Sequence, residues 1–305
     1  EVDMRRFATL AAVAVGLAAV PQLAVAQAAE TATPTAAART VSAGELVEFQ
    51  TLDTATGRIN GYLYRPVTPA PKAPAVVLMH GRAGIFSSLA DGTFNASTIS
   101  MRHRFWARYW AERGYYVLLV DSFSARGYPG GFAAGTYSER PASIDEVTIR
   151  PLDAYGALKF LRGLPGVDGD RIGLMGWSNG ASATLATMAD DKPGDMRKLG
   201  FRAALVFYPG CGLKKRFDRA GYKAYAPVRV FMGTADEEVS PALCTKFVER
   251  SRKLGSDIEL TMYPDVTHSF DDPGKRRQGV PANAAATADV RTRAEAFFAR
   301  ALAPR

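Results

Sequence analysis

Residues 171–189 read RIGLMGWSNGASATLATMA. The apolar run 172–175 predicts a buried strand, and the stretch 181–189 predicts a helix. Between them, Gly176-Trp177-Ser178-Asn179-Gly180 has the form G-x-S-x-G. A tight turn between strand and helix raises the serine Oγ out of the chain, and the glycines leave room for that turn. The stretch predicts a nucleophilic Ser178, the alternative being a glycine-rich turn that caps an ordinary helix.

The pattern on either side of this stretch alternates between apolar runs and helical segments. Short unbroken apolar runs are typical of strands buried on both faces, as in a parallel sheet. A hairpin is predicted over 45–65, where apolar and polar residues alternate around a turn signal. The sequence predicts a single α/β domain over 43–305 with a doubly wound, mostly parallel sheet. The apolar runs are 75–79, 115–120, 171–175, 203–208, 228–232 and 258–263, and the helical segments are 100–112, 144–163, 179–190, 240–254 and 285–303.

A serine hydroxyl needs a base to take its proton. In this strand-turn-helix class the serine comes first along the chain, then an acid, then a histidine. Of the three histidines only His268 follows Ser178. Asp236 follows the run 228–232 and a Gly-Thr-Ala turn, so it is the predicted acid. Glu237 and Glu238 are rivals, although acids there also suit the first turn of the next helix.

Acyl transfer also needs N–H donors for the oxyanion. The backbone N–H of Asn179, directly after the nucleophile, is one candidate, and that of Arg82, in the loop after the run 75–79, is the second.

Two long loops, 82–99 and 122–143, start at the carboxyl ends of predicted strands, where open α/β sheets bind ligands. The side chains of Arg82 and Arg126 are therefore candidates to bind a substrate carboxylate. The alternatives are a surface arginine or one that pins its loop through an ion pair. Trp177 is a third candidate for a substrate contact. The alternative is that its side chain packs beneath the turn.

The N-terminus predicts export. A basic start at Met4-Arg5-Arg6, an Ala/Val/Leu-rich stretch and Ala24-Val25-Ala26 are typical of a secretory signal peptide over 1–26. Residues 1–3 precede the start methionine, and residues 27–42 predict a flexible leader. An uncleaved membrane anchor is the alternative, although Pro21 interrupts the apolar stretch, and no later stretch is long and apolar enough to span. Secretion or a periplasmic location is expected.

The chain has two cysteines, Cys211 and Cys244, whose expected state depends on whether the protein is exported. In an oxidising compartment a pair predicts a disulfide rather than two free thiols. Cys211 follows a predicted strand, and Cys244 lies early in the predicted helix after Asp236. These two strand edges are expected to be neighbours, so the bond would brace the loop that carries the acid. Neither cysteine has the spacing of a metal site.

The net charge is +8 and the pI about 9.5. Lysine and arginine are scattered and no recognition motif accompanies them, so a solvated basic surface is expected rather than a nucleic-acid site.

Several motifs together resemble the dienelactone hydrolase family of α/β-hydrolases. They are His80-Gly81, residues 121–127 (DSFSARG), residues 176–180, residues 233–236 (GTAD), and residues 263–271, which contain His268-Ser269-Phe270-Asp271. The resemblance covers about residues 70 to 300. It implies the α/β-hydrolase fold, a serine or cysteine nucleophile with aspartate and histidine partners, and no metal or other cofactor.

The chain departs from the resemblance at its nucleophile. Members that open dienelactone use a cysteine with a glutamate early in the chain, where this sequence has Ser178 and His80-Gly81-Arg82. The expected function is hydrolysis of a small-molecule carboxylic ester or lactone through an acyl-serine. The alternatives are a peptidase or amidase on the same fold, and a binding protein without catalysis.

Overall fold

The structure, a computed structural model, describes Val41, residues 43–68 and residues 70–304. The predicted signal peptide (1–26) lies outside these residues, as does the predicted leader (27–42) except for Val41. Val41 is buried, and its carbonyl oxygen accepts a hydrogen bond from Arg108 Nη2 at 3.4 Å. Packing therefore begins before the predicted domain start at residue 43. No helix in this described part of the chain combines the length and apolar character needed to cross a bilayer.

Eight strands form one sheet in the order β1-β2-β4-β3-β5-β6-β7-β8. The first two strands form the predicted hairpin and run antiparallel to their neighbours, while all other pairs are parallel. The predicted fold class, a mostly parallel α/β sheet, is confirmed. The strands are β1 (Glu45–Gln50), β2 (Arg58–Tyr64), β3 (Ala73–Met79), β4 (Tyr116–Asp121), β5 (Val167–Trp177), β6 (Ala203–Phe207), β7 (Val228–Gly233) and β8 (Ile258–Tyr263).

Helices cover both faces of this sheet. In β3, Ala75, Val77 and Met79 join a core on one face, and the alternate residues Val76 and Leu78 join the core on the other. Burying one such valine or leucine contributes about 1.5–3 kcal/mol, which explains why the central strands are continuous apolar runs. The helices are α1 (Met101–Glu112), α2 (Arg150–Arg162), α3 (Asn179–Met188), α4 (Met196–Leu199), α5 (Pro241–Lys253), α6 (Lys275–Gln278) and α7 (Pro281–Ala301).

One predicted helix, 144–163, begins later than expected, at Arg150. Pro151 has no N–H to donate to the preceding turn, so a helix that extended further back would lose a hydrogen bond there. The residues before it form a turn instead, in which Asp145 Oδ1 accepts hydrogen bonds from the backbone N–H groups of Val147 and Thr148.

The carboxyl ends of the parallel strands lie along one edge of the sheet. The segments that follow β3, β5, β6, β7 and β8 therefore meet at that edge, as the position of ligand sites in open α/β sheets predicts. These segments carry Arg82, Ser178, Cys211, Asp236 and His268 in turn.

Candidate active site

Ser178 lies in a sharp turn between β5 and α3. Its φ of 52° is in the positive region that L residues rarely adopt. A Cβ on Gly176 would lie 2.4 Å from the Gly180 carbonyl oxygen, and one on Gly180 would lie 2.2 Å from the Met79 carbonyl oxygen. Both distances are far below van der Waals contact, so glycine is required on each side of the serine. The glycines of the sequence motif therefore have a steric cause.

His268 and Asp236 complete a hydrogen-bonded chain with this serine. His268 Nε2 lies 3.0 Å from Ser178 Oγ. His268 Nδ1 lies 2.8 and 3.0 Å from the two carboxylate oxygens of Asp236. A carboxylate accepts only, so Nδ1 carries the proton and Nε2 is left to accept the serine hydroxyl proton. The histidine side chain is 2% exposed and the aspartate side chain is fully buried.

The carboxylate of Asp236 is itself held in place. Its Oδ1 accepts hydrogen bonds from the backbone N–H groups of Glu238 and Val239, each at 2.9 Å. Both residues belong to the turn that Asp236 begins, two and three positions further along the chain. The turn therefore orients the acid, which in turn orients the histidine ring.

The rival acids contact other groups. Glu237 Oε2 accepts from the backbone N–H of His268 at 2.8 Å, and Arg277 binds its other oxygen. Partial burial opposes ionisation of Glu237, but these two hydrogen bonds hold its pKa below the ordinary value. Glu238 Oε2 lies 3.7 Å from His268 Nε2 and pairs with Arg82. Neither glutamate contacts Nδ1, so Asp236 is the acid that orients the ring.

The two predicted oxyanion amides lie beside the nucleophile. Among the described residues, neither the Asn179 N–H nor the Arg82 N–H donates to a protein acceptor. A Cβ on Gly81 would lie 3.6 Å from Ser178 Cβ, so the segment that contains Arg82 runs against the serine. Asn179 begins α3, where the helix dipole favours negative charge.

A cleft of about 720 Å³ opens over Ser178. One wall comes from residues 134–140, within the long loop that the sequence predicts as pocket rim. The other wall comes from residues 210–215 and 237–243, which sequence reasoning did not assign to the cleft. Polar groups converge on it from Arg82, Tyr137, Arg140, Glu146, Lys214 and Lys215.

The predicted disulfide braces the second wall. Cys211 and Cys244 are bonded, with Cα atoms 5.1 Å apart. Cys211 follows β6 and lines the cleft, and Cys244 lies in the first turns of α5, just after the segment that carries Asp236. The bond therefore joins the cleft wall to the helix that follows Asp236.

The predicted substrate contact through Arg126 is wrong. Its guanidinium is 3% exposed and donates two hydrogen bonds to Asp153, at 2.8 and 2.9 Å. It also donates to Asp53 at 2.8 Å and to the Ser122 carbonyl oxygen at 2.6 Å. Both Nη atoms are bound inside the protein, and the guanidinium does not line the cleft, so the ion-pair alternative applies.

The predicted contact through Trp177 is also wrong, for a similar reason. The indole is fully buried beneath the turn, and its Nε1 donates to Asp271 Oδ2 at 2.8 Å. The Arg82 side chain, in contrast, does line the cleft. Its guanidinium donates to both carboxylate oxygens of Glu238, at 3.0 and 2.8 Å, and to the Phe132 carbonyl oxygen at 3.1 Å.

Sequence reasoning missed Asp271 as an anchor of the site. Its buried carboxylate accepts hydrogen bonds from the Trp106 and Trp177 indoles, each at 2.8 Å, and from the Tyr208 hydroxyl at 2.5 Å. The Tyr208 ring lies 4.6 Å from the ring of His268. One carboxylate thereby ties the histidine loop to the residue before the nucleophile. Its position in the motif 268–271 was the only signal.

Arg150 was missed as well. It is fully buried at the start of α2, and its guanidinium donates to Asn179 Oδ1 at 2.6 Å and to the His80 carbonyl oxygen at 2.8 Å. A cation in the first turn of a helix opposes the helix dipole. That local conflict was the signal that could have singled it out.

His80 has a structural position, as its place at the end of β3 indicates. Its Nε2 accepts from the Ser122 backbone N–H at 3.2 Å, and its Nδ1 lies 2.7 Å from the Gly81 carbonyl oxygen. Complete burial and the nearby charge of Arg150 hold its pKa well below the ordinary value, so the ring is neutral. It therefore fixes the bend that leads from β3 to Arg82.

The chain matches a known protein family over most of its length. A sequence model of the dienelactone hydrolase family matches residues 59–302. The chain belongs to the dienelactone hydrolase family. That membership confirms the resemblance seen in the motifs.

Solved structures show the same fold at low sequence identity. Esterase 2 of the planctomycete Thermogutta terrifontis is 21% identical, with a TM-score of 0.56, over 86% of this chain and 97% of that one. A dienelactone hydrolase-like promiscuous phosphotriesterase from metagenomic libraries is also 21% identical, with a TM-score of 0.60, over 85% of this chain and 99% of that one.

Proposed function

We propose that this protein is a serine hydrolase that cleaves carboxylic esters or lactones through an acyl-serine intermediate. The observation that carries the proposal is the hydrogen-bonded chain from Asp236 through His268 to Ser178, which lines an open cleft. Family membership supports it, and so does the Thermogutta esterase, which has been solved with propionate bound and phosphorylated by paraoxon.

In the first half of the reaction, Ser178 Oγ attacks the carbonyl carbon while its proton passes to His268 Nε2. The carbonyl π electrons move onto the oxygen, which accepts hydrogen bonds from the N–H groups of Asn179 and Arg82. Asp236 stabilises the imidazolium that forms. The intermediate then collapses, the C–O bond to the alcohol breaks, and the departing oxygen takes the proton from Nε2.

In the second half, water takes the place of the alcohol. His268 Nε2 accepts a proton from the water as its oxygen attacks the acyl carbon. Collapse of the second intermediate breaks the bond to Ser178 Oγ, which recovers a proton from the histidine, and the carboxylic acid leaves. With a lactone, alcohol and acid belong to one molecule and the product is a hydroxy acid.

A substrate panel tests the bond that is cleaved. We expect turnover of p-nitrophenyl propionate and of a simple lactone, with kcat/KM at least about 100-fold above that of an aminoacyl p-nitroanilide, because an amide resists attack more strongly than an ester. A fluorophosphonate probe should label Ser178, as peptide mass spectrometry would show. Faster turnover of the anilide would favour an amidase instead, and a folded protein that the probe does not label would contradict the proposal.

We also propose export, with cleavage after Ala26. The Cys211–Cys244 disulfide supports this, because such bonds persist in oxidising compartments. Protein recovered from the periplasm or medium should begin at Gln27 and resist alkylation at both cysteines until it is reduced. An uncleaved N-terminus or two freely alkylated thiols, measured by intact-protein mass spectrometry, would contradict the proposal.

A further inference from the structure

Arg150 joins the two segments that carry the oxyanion amides. Its Nη1 donates to the side chain of Asn179, whose own N–H is one donor, at 2.6 Å. Its Nη2 donates to the carbonyl oxygen of His80, two residues before Arg82, at 2.8 Å. One planar guanidinium with two parallel donors therefore sets the spacing between the end of β3 and the start of α3.

The rest of the β3 segment is held from other sides. The Arg82 carbonyl oxygen accepts from the Phe132 backbone N–H at 2.8 Å, and the Gly81 carbonyl oxygen lies 2.7 Å from His80 Nδ1. These contacts use the carbonyl groups and leave the Arg82 N–H without a protein acceptor among the described residues. The amide is therefore fixed in orientation while its donor stays available.

Placing a cation at this position is costly. Arg150 is fully buried, and no carboxylate in the described residues lies within ion-pair distance of its guanidinium. Burial lowers its pKa to about 10, with the charges of Asp153 and Glu146 opposing the shift, so it stays protonated at neutral pH. Burying an ion without an oppositely charged partner is unfavourable, because the ion loses its hydration. A neutral side chain would fill the same space without that cost.

We propose that Arg150 is a positioning residue of the oxyanion site, which holds the Asn179 and Arg82 N–H groups at the spacing that one tetrahedral oxyanion requires. Its charge lies against the side chain of Asn179, the first residue of α3, and so it adds to the positive field that the helix N-terminus directs at the oxyanion. The inference rests on the proposed serine hydrolase mechanism. Arg150 contacts no substrate and acts through its charge and through the two segments that it joins.

The test is Arg150→Met, which keeps much of the apolar stem and removes the donors and the charge. We expect kcat for p-nitrophenyl propionate to fall about 10- to 100-fold, less than the roughly 10²- to 10³-fold loss of an oxyanion donor itself. KM should change less than threefold. Affinity for a trifluoromethyl ketone analogue of the substrate should fall in parallel with kcat, because that inhibitor forms a tetrahedral oxyanion on the serine.

Arg171→Met is the matched control. Arg171 Nε also donates to a carbonyl oxygen, that of Leu302 at 2.6 Å, but it lies in β5 far from the cleft. Its kcat and inhibitor affinity should equal those of the wild type. The concentration of active sites is measured by titration with the fluorophosphonate probe, and each kcat is divided by it. Partial unfolding of a variant then does not lower its kcat.

Two outcomes would overturn the proposal. One is a folded Arg150→Met protein with unchanged kcat per titrated site and unchanged inhibitor affinity. Should that variant not fold, Asn179→Ala removes the acceptor and keeps the backbone N–H, and an unchanged kcat there overturns the proposal equally. If the wild type turns over no ester, or if activity survives Ser178→Ala, the proposed function itself is contradicted, and not only the role of Arg150.

Discussion

Replacement of Ser178 by alanine is expected to lower kcat for p-nitrophenyl propionate by about 10⁴- to 10⁶-fold. The Oγ that receives the acyl group is lost, while the cleft, the histidine and the oxyanion amides remain. The residual rate then comes from binding and the amides alone. KM and the thermal unfolding midpoint should stay close to those of the wild type. Stopped-flow or plate assays measure the ratio of the wild-type and variant kcat values, on protein purified free of host esterases.

A second serine serves as control. Ser251 is buried in α5, and its Oγ donates to the Phe247 carbonyl oxygen of the same helix at 2.8 Å. Ser251→Ala should keep wild-type kcat. Combining Ser178→Ala with His268→Asn should cost hardly more than either change alone, because the two side chains act as a unit. More than a few per cent of wild-type activity in Ser178→Ala contradicts the assignment.

Arg126→Met is expected to lower the free energy of unfolding by about 3–5 kcal/mol. The change leaves the Asp153 carboxylate, which is fully buried, without the cation that binds both of its oxygens. Asp53, with a side chain 10% exposed, loses its partner too. Urea denaturation followed by circular dichroism gives the difference.

Arg58→Met is the matched control for this ion pair. Arg58 binds Glu48 at 2.6 Å, but both side chains are more than half exposed, so its loss should cost no more than about 1 kcal/mol. Kinetics separate the two interpretations of Arg126. An internal ion pair predicts an unchanged KM in the folded variant. A large rise in KM with unchanged stability would restore Arg126 as a substrate contact.

The parts of the fold that the sequence predicted correctly depend on local signals. Apolar runs placed the central strands because both faces of each strand are covered, and the glycines around Ser178 marked a turn with no space for side chains. The order of Ser178, Asp236 and His268 selected the residues that the fold brings together at one edge of the sheet.

The errors and omissions concern partners distant in sequence. Asp53 lies 73 residues from Arg126, and Asp271 lies 94 residues from Trp177. Nothing near Arg126 or Trp177 in the chain distinguishes a group satisfied inside the protein from one that faces a ligand. The second wall of the cleft also depends on residues distant in sequence. It is built from the segment around Cys211, which is bonded to Cys244, and from the loop that follows β7.

Because Asp271 lies late in the chain, the site is completed only near the end of protein synthesis. Ribosomes make the Ser178 turn well before they make Asp271 and His268, and at 5–20 residues per second the interval lasts several seconds. During that time the serine has neither its base nor the anchor beneath Trp177. Even the strand that carries it lacks the cover of α7, whose Phe298 packs against Gly173. The nascent polypeptide therefore holds an inert hydroxyl, and hydrolytic activity begins only when the last quarter of the chain has docked.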